Sequence, residues 1–280
     1  MTLTDISRCP GLQPGDLEAL ERLREILRGL GRAALGYSGG VDSSFLLAVA
    51  AEILGPNLLA LTASSPTLAV SELEFARAFA RDRGVRHEVM PSNELELAAF
   101  TANPRDRCYQ CKKLRFGLMK ERAQREGMVA LLDGTNLDDL GDFRPGMKAA
   151  EELGVIKPLV QAGFDKARIR RLSRLLGLPG ADRPAEACYA TRFPPGIEIT
   201  EERIGRVARA EAALHALELS VVRVRFHGEL ARIELGAEEF PKLLDPERRR
   251  RALEAVAAAG FELVTVDLQP YRPGGAGLGK

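Results

Sequence analysis

Apolar and polar positions follow two different periods in the first half of the chain. Leucines recur at three- and four-residue steps from position 17 to position 30, behind a capping Asp16, which predicts an amphipathic helix. Short apolar runs then predict strands at 33–37, 58–63, 85–90 and 128–133, with helices at 45–54, 70–83 and 109–126. Because strands that alternate with helices join by right-handed crossovers, we expect a mostly parallel sheet covered on both faces.

The pattern changes in the second half. Between Lys157 and Pro195, prolines frame a single predicted helix, 166–176. A helix at 201–219, strands at 221–226 and 231–235, a helix at 246–258 and a strand at 261–268 follow. We therefore expect an α/β fold in which residues 1–197 form a doubly wound, mostly parallel sheet. Residues 198–280 are predicted to form a small α+β domain.

The composition is that of an ordinary globular chain. Of 280 residues, 45% are apolar and 28% are charged, which excludes a disordered, collagen-like or disulfide-scaffold protein. Forty Lys and Arg against 39 Asp and Glu leave a net charge of +1. Because sequence-independent binding to nucleic acid needs many unpaired basic side chains, we expect no nucleic-acid partner.

The chain carries no pattern that favours a membrane or a secretory route. Its first residues include Asp5 and Arg8 and do not resemble a signal peptide. The longest uncharged run, 53–71, contains Pro56 and Pro66 and is better interpreted as a helix end, a strand and a loop than as a membrane span. We expect a cytoplasmic protein with no membrane partner.

The strongest chemical signal lies between the strand predicted at 33–37 and the helix that follows it. This loop reads Ser38-Gly39-Gly40-Val41-Asp42-Ser43-Ser44. Glycines let the backbone approach a ligand, the start of a helix favours an anion, and the serines add hydroxyl donors. The loop therefore predicts a phosphate site, although it has neither the lysine of a Walker loop nor the spaced glycines of a dinucleotide fold. The alternative is an ordinary glycine-containing turn.

The pattern Ser-Gly-Gly-x-Asp-Ser after a first strand resembles the pyrophosphate loop of the ATP pyrophosphatases, the PP-loop family with an adenine nucleotide alpha hydrolase-like fold. Members of that family split ATP into AMP and pyrophosphate and use the AMP to activate a carbonyl or carboxylate. The resemblance implies adenylation rather than phosphoryl transfer. It also implies that Asp42 holds magnesium or pyrophosphate and that Ala63, at the end of the second strand, lies near the adenosine.

Two cysteines, Cys108 and Cys111, are three residues apart at the start of a predicted helix. Such a pair is able to bind one metal, and a helix dipole lowers thiol pKa values. From Thr101 to Arg125 the chain has eight Lys or Arg and two acidic residues, which suits an anionic substrate. The alternative is a solvated basic helix with two buried structural cysteines.

Cys188 lies in a segment flanked by prolines, with Arg192 nearby. It is a candidate reactive thiolate, although a lone cysteine is more often a small apolar residue. With Cys108 and Cys111 it supplies three thiolates, which suit an iron-sulfur cluster with one open iron better than a closed zinc site. Cys9 is the less favoured fourth ligand because it lies in a loose N-terminal segment.

Polar residues also follow the strand predicted at 128–133. The segment 133–146 contains Asp139, an acidic candidate for magnesium, and Arg144, which would meet a phosphate or carboxylate. Taken alone, this segment would be interpreted as an Asp-rich turn.

Arg223 and Arg225 are two apart on a predicted strand and therefore point to one face, with Glu234 on the neighbouring strand. Two parallel guanidinium groups would grip a phosphate. A strand face joined by ion pairs is an equally good alternative.

Four segments together resemble one subfamily over nearly the whole chain. They are the pyrophosphate loop, the segment from Gly134-Thr135-Asn136 to Arg144-Pro145-Gly146, the Cys188 loop, and the strands Arg223-Val224-Arg225 and Arg232-Ile233-Glu234. The subfamily is the ATP-dependent sulfur transferases of lactate-racemase cofactor synthesis, the LarE family. Its members adenylate carboxylates of a nicotinate-derived pyridinium dicarboxylate mononucleotide and convert them to thiocarboxylates for a nickel-pincer nucleotide.

The resemblance assigns roles to individual positions. It implies that Cys188 handles sulfur, that Gly134 and Asn136 bind ATP, and that an acidic and phosphate-binding set lies near the cysteine. That set is Arg144, Glu211, Arg223, Arg225 and Glu234. One form of the family sacrifices a single cysteine, whereas Cys108 and Cys111 make this chain similar to the form with a three-cysteine 4Fe-4S cluster that carries an extra sulfide. The resemblance thus implies ATP, Mg²⁺, a 4Fe-4S cluster, a sulfide source and a homo-oligomer, and it gives residues 198–280 the role of substrate binding and oligomerisation.

Three other functions remain open from the residues. A tRNA-thiolating enzyme also joins this loop to a Cys-x-x-Cys, but the near-neutral charge counts against it. A sulfur-independent amidating synthetase would make Cys188 dispensable. An adenine-nucleotide-binding protein that never turns ATP over would release no pyrophosphate.

Overall fold

The structure is a computed structural model that describes residue 6 and residues 9–141, 145–183 and 186–271. The strands are β1 (Ala33–Gly36), β2 (Leu58–Ser64), β3 (Arg86–Pro91), β4 (Ala130–Asp133), β5 (Val222–His227), β6 (Leu230–Leu235) and β7 (Leu263–Val266). The α-helices are α1 (Asp16–Leu30), α2 (Val41–Leu54), α3 (Val70–Asp82), α4 (Ala98–Thr101), α5 (Arg107–Arg125), α6 (Pro145–Glu152), α7 (Pro158–Ala162), α8 (Lys166–Leu175), α9 (Glu201–Ala216) and α10 (Pro246–Ala258).

The first sheet is parallel throughout and has the strand order β3-β2-β1-β4. Gly36, the last residue of β1, lies opposite Leu61 of β2 and Asp133 of β4. The loops that follow these strands therefore emerge at one edge of the sheet, where ligands of open α/β sheets bind.

Helices cover both faces of this sheet. On β1, Ala33 and Leu35 pack into one hydrophobic core while Ala34 packs into the other, as the two-residue period of a strand requires. Helices α1, α2, α3, α7 and α8 contribute to the first core, and α5 and α6 contribute to the second. Within the first core, α2 is buried along nine of its 14 residues.

The chain divides into two compact units. The described residues up to 65, 70–92 and 106–186 form the first unit, which contains the parallel sheet. The second unit contains 66–69, 93–105 and the described residues from 187 onward. In it, β5 and β6 form an antiparallel hairpin, β7 pairs parallel to β6, and α9 packs against β5 and α10.

The architecture confirms the predicted α/β fold with a doubly wound parallel sheet. The Cys188 loop packs with the C-terminal elements in the second unit. The functional division after residue 197 stays a prediction. In the described part of the chain, no helix is both long and apolar enough to cross a membrane.

A buried carboxylate joins the two ends of the first unit. Asp16, at the start of α1, has no exposed surface and accepts hydrogen bonds from Arg168 at 3.1 Å and from Arg171 at 2.6 and 2.9 Å. The amide of Gln13 donates to it at 2.9 Å. Burial alone would raise the pKa of Asp16, but the hydrogen bonds from Arg171, Gln13 and Arg168 hold that pKa below its usual value.

Replacing Asp16 with Asn should destabilise the protein by roughly 3 kcal/mol, because two arginines on α8 lose their shared carboxylate. Urea unfolding at pH 7 followed by circular dichroism measures the loss. Asp82 is the matched control, since it is 67% exposed and pairs with its neighbour Arg81. Asp82→Asn should change the free energy of unfolding by less than about 0.5 kcal/mol. Equal midpoints for the two variants would contradict the role of Asp16.

Candidate functional site

The glycine-rich loop between β1 and α2 is shaped by hydrogen bonds among its own residues. Ser38 Oγ lies 3.1 Å from Ser43 Oγ, and Ser43 Oγ donates to the Gly40 carbonyl at 3.1 Å. Gly39 has a φ of 78°, and a Cβ at this position would lie 3.0 Å from the Glu72 carbonyl oxygen. A side chain at Gly39 would therefore be strained and would press on α3.

A series of hydrogen bonds behind the glycine-rich loop links Ser44, Tyr37, Thr62 and His87. Burial raises the pKa of Tyr37 to about 12, so its phenol stays protonated, and its oxygen lies 3.2 Å from Ser44 Oγ. Thr62 donates to the Tyr37 carbonyl at 2.6 Å, and His87 Nε2 lies 2.8 Å from the same Thr62 hydroxyl. The single hydroxyl proton of Thr62 is donated to the Tyr37 carbonyl. His87 must therefore donate a proton from Nε2 to the Thr62 hydroxyl oxygen. Burial lowers the pKa of His87, so the ring is neutral at pH 7.

Asp42, in the first turn of α2, is the charged centre of the loop. Its Oδ2 accepts a hydrogen bond from Lys166 Nζ at 2.5 Å, whereas its buried Oδ1 has no hydrogen-bond partner among the described residues. Burial raises the pKa of Asp42, Lys166 opposes that rise, and the nearby Asp139 adds to it. A carboxylate oxygen without a partner beside a second carboxylate is an arrangement that a divalent cation would stabilise.

The segment after β4 lies against the start of α2. A Cβ added to Gly134 would lie 2.9 Å from both the Cα and the amide nitrogen of Ser43, so only glycine allows this approach. Asn136 is buried, its amide donates to Asp139 Oδ2 at 3.1 Å, and its side-chain oxygen accepts from the Asp138 amide at 2.9 Å. The segment is thereby held as an ordered turn beside the glycine-rich loop.

The first unit thus brings most of the predicted nucleotide residues to one edge of the sheet. The residues that follow β1 and β4, and Ala63 near the end of β2, share the edge at which these parallel strands end. Ala63 is 7% exposed. Arg144 lies outside the described residues. The nucleotide-binding roles of these residues stay predictions.

The cysteines divide between the two units. Cys108 is exposed and Cys111 is half-buried, both in the first two turns of α5, and Cys188 is half-buried in the second unit. None of these cysteines, nor Cys9, is in a disulfide. Over the part of the chain that the structure describes, no three His, Cys, Asp or Glu side chains are grouped so as to hold a metal ion.

The loop around Cys188 is held by a fully buried arginine. Arg192 pairs with Glu211 of α9 through two hydrogen bonds of 2.8 and 2.9 Å. Its remaining nitrogen donates to the carbonyls of Ala187 at 2.6 Å and Cys188 at 3.3 Å. Arg192, considered from sequence as a neighbour of the thiol, therefore contacts the backbone of the cysteine itself.

The predicted phosphate-binding arginines are also buried. Arg223 is 2% exposed and packs against Tyr271, with its guanidinium carbon 5.1 Å from the ring centre. Arg225 is 6% exposed and pairs with Glu234 at 2.6 Å. Glu234 also accepts from Arg232, so ion pairs do join this strand face. The binding of a phosphate here stays a prediction.

Sequence reasoning missed Lys166 and the hydrogen-bonded residues behind the glycine-rich loop. Lys166 is 124 positions from Asp42, and the pattern around it indicated only the start of a helix. The hydrogen-bonded set of Ser44, Tyr37, Thr62 and His87 was missed because its members lie on three elements and one loop, and no local pattern relates them. For Lys166 the only signal was its place at the start of a predicted helix.

This chain is similar to known proteins over much more than the glycine-rich loop. The family model described as asparagine synthase matches residues 27–135, which run from α1 to the turn after β4. An uncharacterized protein of Synechocystis sp. is 43% identical over 255 residues, covering 91% of this chain and 95% of that protein. An uncharacterized protein of Methanocaldococcus jannaschii is 27% identical over 238 residues, covering 85% and 90%.

A relative with a named activity matches over the same length. Pyridinium-3,5-bisthiocarboxylic acid mononucleotide synthase of Lactiplantibacillus plantarum is 34% identical over 250 residues. The match covers 89% of this chain and 90% of that enzyme. It therefore includes both compact units, not the nucleotide loop alone.

Asp42→Asn should stabilise the nucleotide-free protein at pH 7. A carboxyl whose pKa is higher in the folded than in the unfolded chain costs stability once it is ionised in both states. Burial raises the pKa of Asp42, so the advantage of the variant should shrink as the pH falls toward the ordinary value of 3.8. Urea unfolding between pH 4 and pH 8 measures the difference, with Asp82→Asn as the exposed control. A variant that is less stable than the wild type at pH 7 would contradict the burial cost.

Proposed function

The chain belongs to the LarE family of ATP-dependent sulfur transferases, and on that premise we propose that it adenylates a pyridinium-3,5-dicarboxylate mononucleotide and converts its carboxylates to thiocarboxylates. The product would enter the synthesis of a nickel-pincer nucleotide. The single observation that carries the proposal is the nucleotide edge of the first unit, where Asp42 and Lys166 meet at the start of α2. That arrangement suits a polyphosphate together with its counter-ion.

Adenylation would use the chain's own groups mainly to position and neutralise anions. The first amides of α2 and the hydroxyls of Ser38 and Ser43 would bind the pyrophosphate of ATP. Lys166 would add a positive charge beside it. A carboxylate oxygen of the substrate would then attack the α-phosphorus, which releases pyrophosphate and leaves an acyl-adenylate.

Magnesium fits the residues present. The buried Oδ1 of Asp42 has no hydrogen-bond partner among the described residues, and Asp139 interacts with Asp42 electrostatically. Carboxylate oxygens are the ligands that Mg²⁺ prefers. We assign Asp42 and Asp139 as its protein ligands, and the bound ion would neutralise charge on the polyphosphate.

Sulfur transfer would replace the AMP of the acyl-adenylate. A sulfide attacks the activated carbonyl, AMP leaves with the bonding electron pair, and the thiocarboxylate remains. Arg223 and Arg225 are the candidates for the mononucleotide phosphate, together with Arg144. The sulfide source and the homo-oligomer remain predictions.

The proposal of an iron-sulfur cluster rests on the number and type of the cysteine thiols and on the family resemblance, since the described residues show no grouped metal site. Cys108 and Cys111 are one helical turn apart in α5, which places them on one face of the helix, and Cys188 supplies the third thiol. Three thiolates leave one iron open, so such a cluster would supply a bound sulfide for transfer. We therefore propose Cys108, Cys111 and Cys188 as ligands, with Cys188 retained rather than consumed.

Pyrophosphate release tests the reaction class. Purified protein with ATP, Mg²⁺, sulfide and the dicarboxylate mononucleotide should release pyrophosphate and AMP, and mass spectrometry should show oxygen replaced by sulfur in the substrate. Lys166→Met should lower the rate about a hundredfold, because a preorganised charge at the phosphates is lost. Arg81→Met is the control, since Arg81 is exposed on α3.

Other results would overturn the proposal. No pyrophosphate with any carboxylate would favour a nucleotide-binding protein. Co-purified RNA that becomes thiolated would favour a tRNA-thiolating enzyme. Pyrophosphate release with ammonia or an amine as the acceptor, and no need for Cys188, would favour an amidating synthetase.

Anaerobic reconstitution tests the three-cysteine assignment. The wild type and Cys9→Ala should bind iron and sulfide in cluster proportions, whereas Cys108→Ala, Cys111→Ala and Cys188→Ala should lose most of both. Iron and sulfide analysis with an absorption spectrum measures this directly. If all the variants form clusters equally well, the assignment is wrong. Conversion of Cys188 to dehydroalanine after one turnover, seen by mass spectrometry, would show that it is consumed.

A further inference from the structure

The carbonyl oxygen of Cys188 accepts more hydrogen bonds than a loop carbonyl ordinarily does. Thr191 donates to it twice, from its amide at 2.9 Å and from its hydroxyl at 2.8 Å, and Arg192 donates at 3.3 Å. The N–H of the same peptide unit is held as well, because the Tyr189 amide donates to the Thr67 carbonyl at 2.9 Å. The backbone on the C-terminal side of Cys188 cannot rotate without breaking several of these bonds.

Arg192 reaches the loop from a buried ion pair. Its side chain has no exposed surface and that of Glu211 is 3% exposed. Such a burial is favourable only when both groups are fully hydrogen-bonded, and here the guanidinium fork is shared between the carboxylate and the loop carbonyls. Replacing a buried pair by apolar residues of similar volume is often neutral for stability, so the presence of this pair is weak evidence that it stabilises the fold.

Glu211 joins this pair to the sheet of the second unit. The oxygen that accepts from Arg192 Nε also accepts from the amide of Val224, at 2.8 Å. Val224 lies on β5, and Glu211 lies on α9. One carboxylate therefore connects a helix, a strand and, through Arg192, the backbone of the cysteine.

Arg225 makes a second connection of the same type. It pairs with Glu234 and donates to the Thr191 carbonyl at 2.8 Å. The loop is thus held at two points, by Arg192 on its N-terminal side and by Arg225 on its C-terminal side. Both arginines are anchored by a glutamate that is itself at least 90% buried.

We propose that Arg192 and Glu211 are positioning residues that set the direction of the Cys188 side chain for sulfur transfer. The inference rests on the proposed function, because that function gives Cys188 its role. It also revises what the family resemblance implied for Glu211. The carboxylate acts through Arg192 and the Val224 amide.

The test uses the full-length chain with Cys9, Cys108 and Cys111 replaced by Ser, so that Cys188 is the only thiol. Iodoacetamide alkylation of Cys188 is followed from pH 6 to pH 10, and hydrogen exchange is measured for the amides of 187–192. Glu211→Gln and Arg192→Lys should each raise exchange in this segment about tenfold or more, because the local opening becomes easier. Both should also shift the pH profile of alkylation. Glu202→Gln, on the exposed face of the same helix, should leave both measurements unchanged.

A paired replacement separates positioning from stability. Arg192→Met combined with Glu211→Met replaces a buried ion pair by apolar groups of similar length, which often preserves stability. We expect this variant to unfold at nearly the same urea concentration as its parent while exchange in 187–192 stays fast. Circular dichroism and size-exclusion chromatography establish that each variant is folded.

Unchanged exchange and an unchanged alkylation profile in folded Glu211→Gln and Arg192→Lys would overturn the proposal. So would a double-Met variant in which exchange returns to the parental rate together with stability. Neither measurement needs ATP, substrate or a cluster. If the wild type makes no thiocarboxylate although the variants loosen the loop, the proposed function fails and the positioning of Cys188 by Arg192 and Glu211 stands.

Discussion

The parallel pairing of β1 with β2 and β4 is the constraint on which the edge that carries the glycine-rich loop depends. Parallel strands in register end together, so the glycine-rich loop and the turn after β4 meet at one edge of the sheet. The approach of Gly134 to Ser43 leaves no room for a Cβ. Sheet geometry therefore brings these segments together, and small residues are needed where they touch.

Charge burial is the second theme of the structure. Asp16, Asp42 and Glu211 each lose water on folding, and each is compensated by a cationic side chain from a distant part of the sequence. The compensation differs in kind. Asp16 is surrounded by donors on both oxygens, whereas one oxygen of Asp42 is left without a partner among the described residues. The first arrangement supports the fold, and the second is suited to a ligand.

The second unit also contains buried ion pairs, and their arginines donate hydrogen bonds to backbone carbonyls. Arg192 and Arg225 are each neutralised by a glutamate and still donate to carbonyls of the loop that carries Cys188. The planar guanidinium of an arginine has five N–H donors, so it is able to pair with a carboxylate and donate to a carbonyl at the same time. A lysine has three donors on a single nitrogen. The backbone of Cys188 is therefore fixed by buried ion pairs of the second unit.

Periodicity along the chain predicted every described strand, every described helix of ten or more residues and the parallel sheet, but it missed the short helices α4, α6 and α7. These features depend on local periodicity and on residue types within a few positions, and α2, β2 and α10 begin within four residues of where the pattern predicts them. The partners of the buried charged groups depend instead on how the folded elements pack. Lys166 donates to Asp42, 124 positions away in the sequence, and Glu211 accepts hydrogen bonds from both Arg192 and the Val224 amide. Such contacts follow from how separate elements pack, and no periodicity along the chain records them.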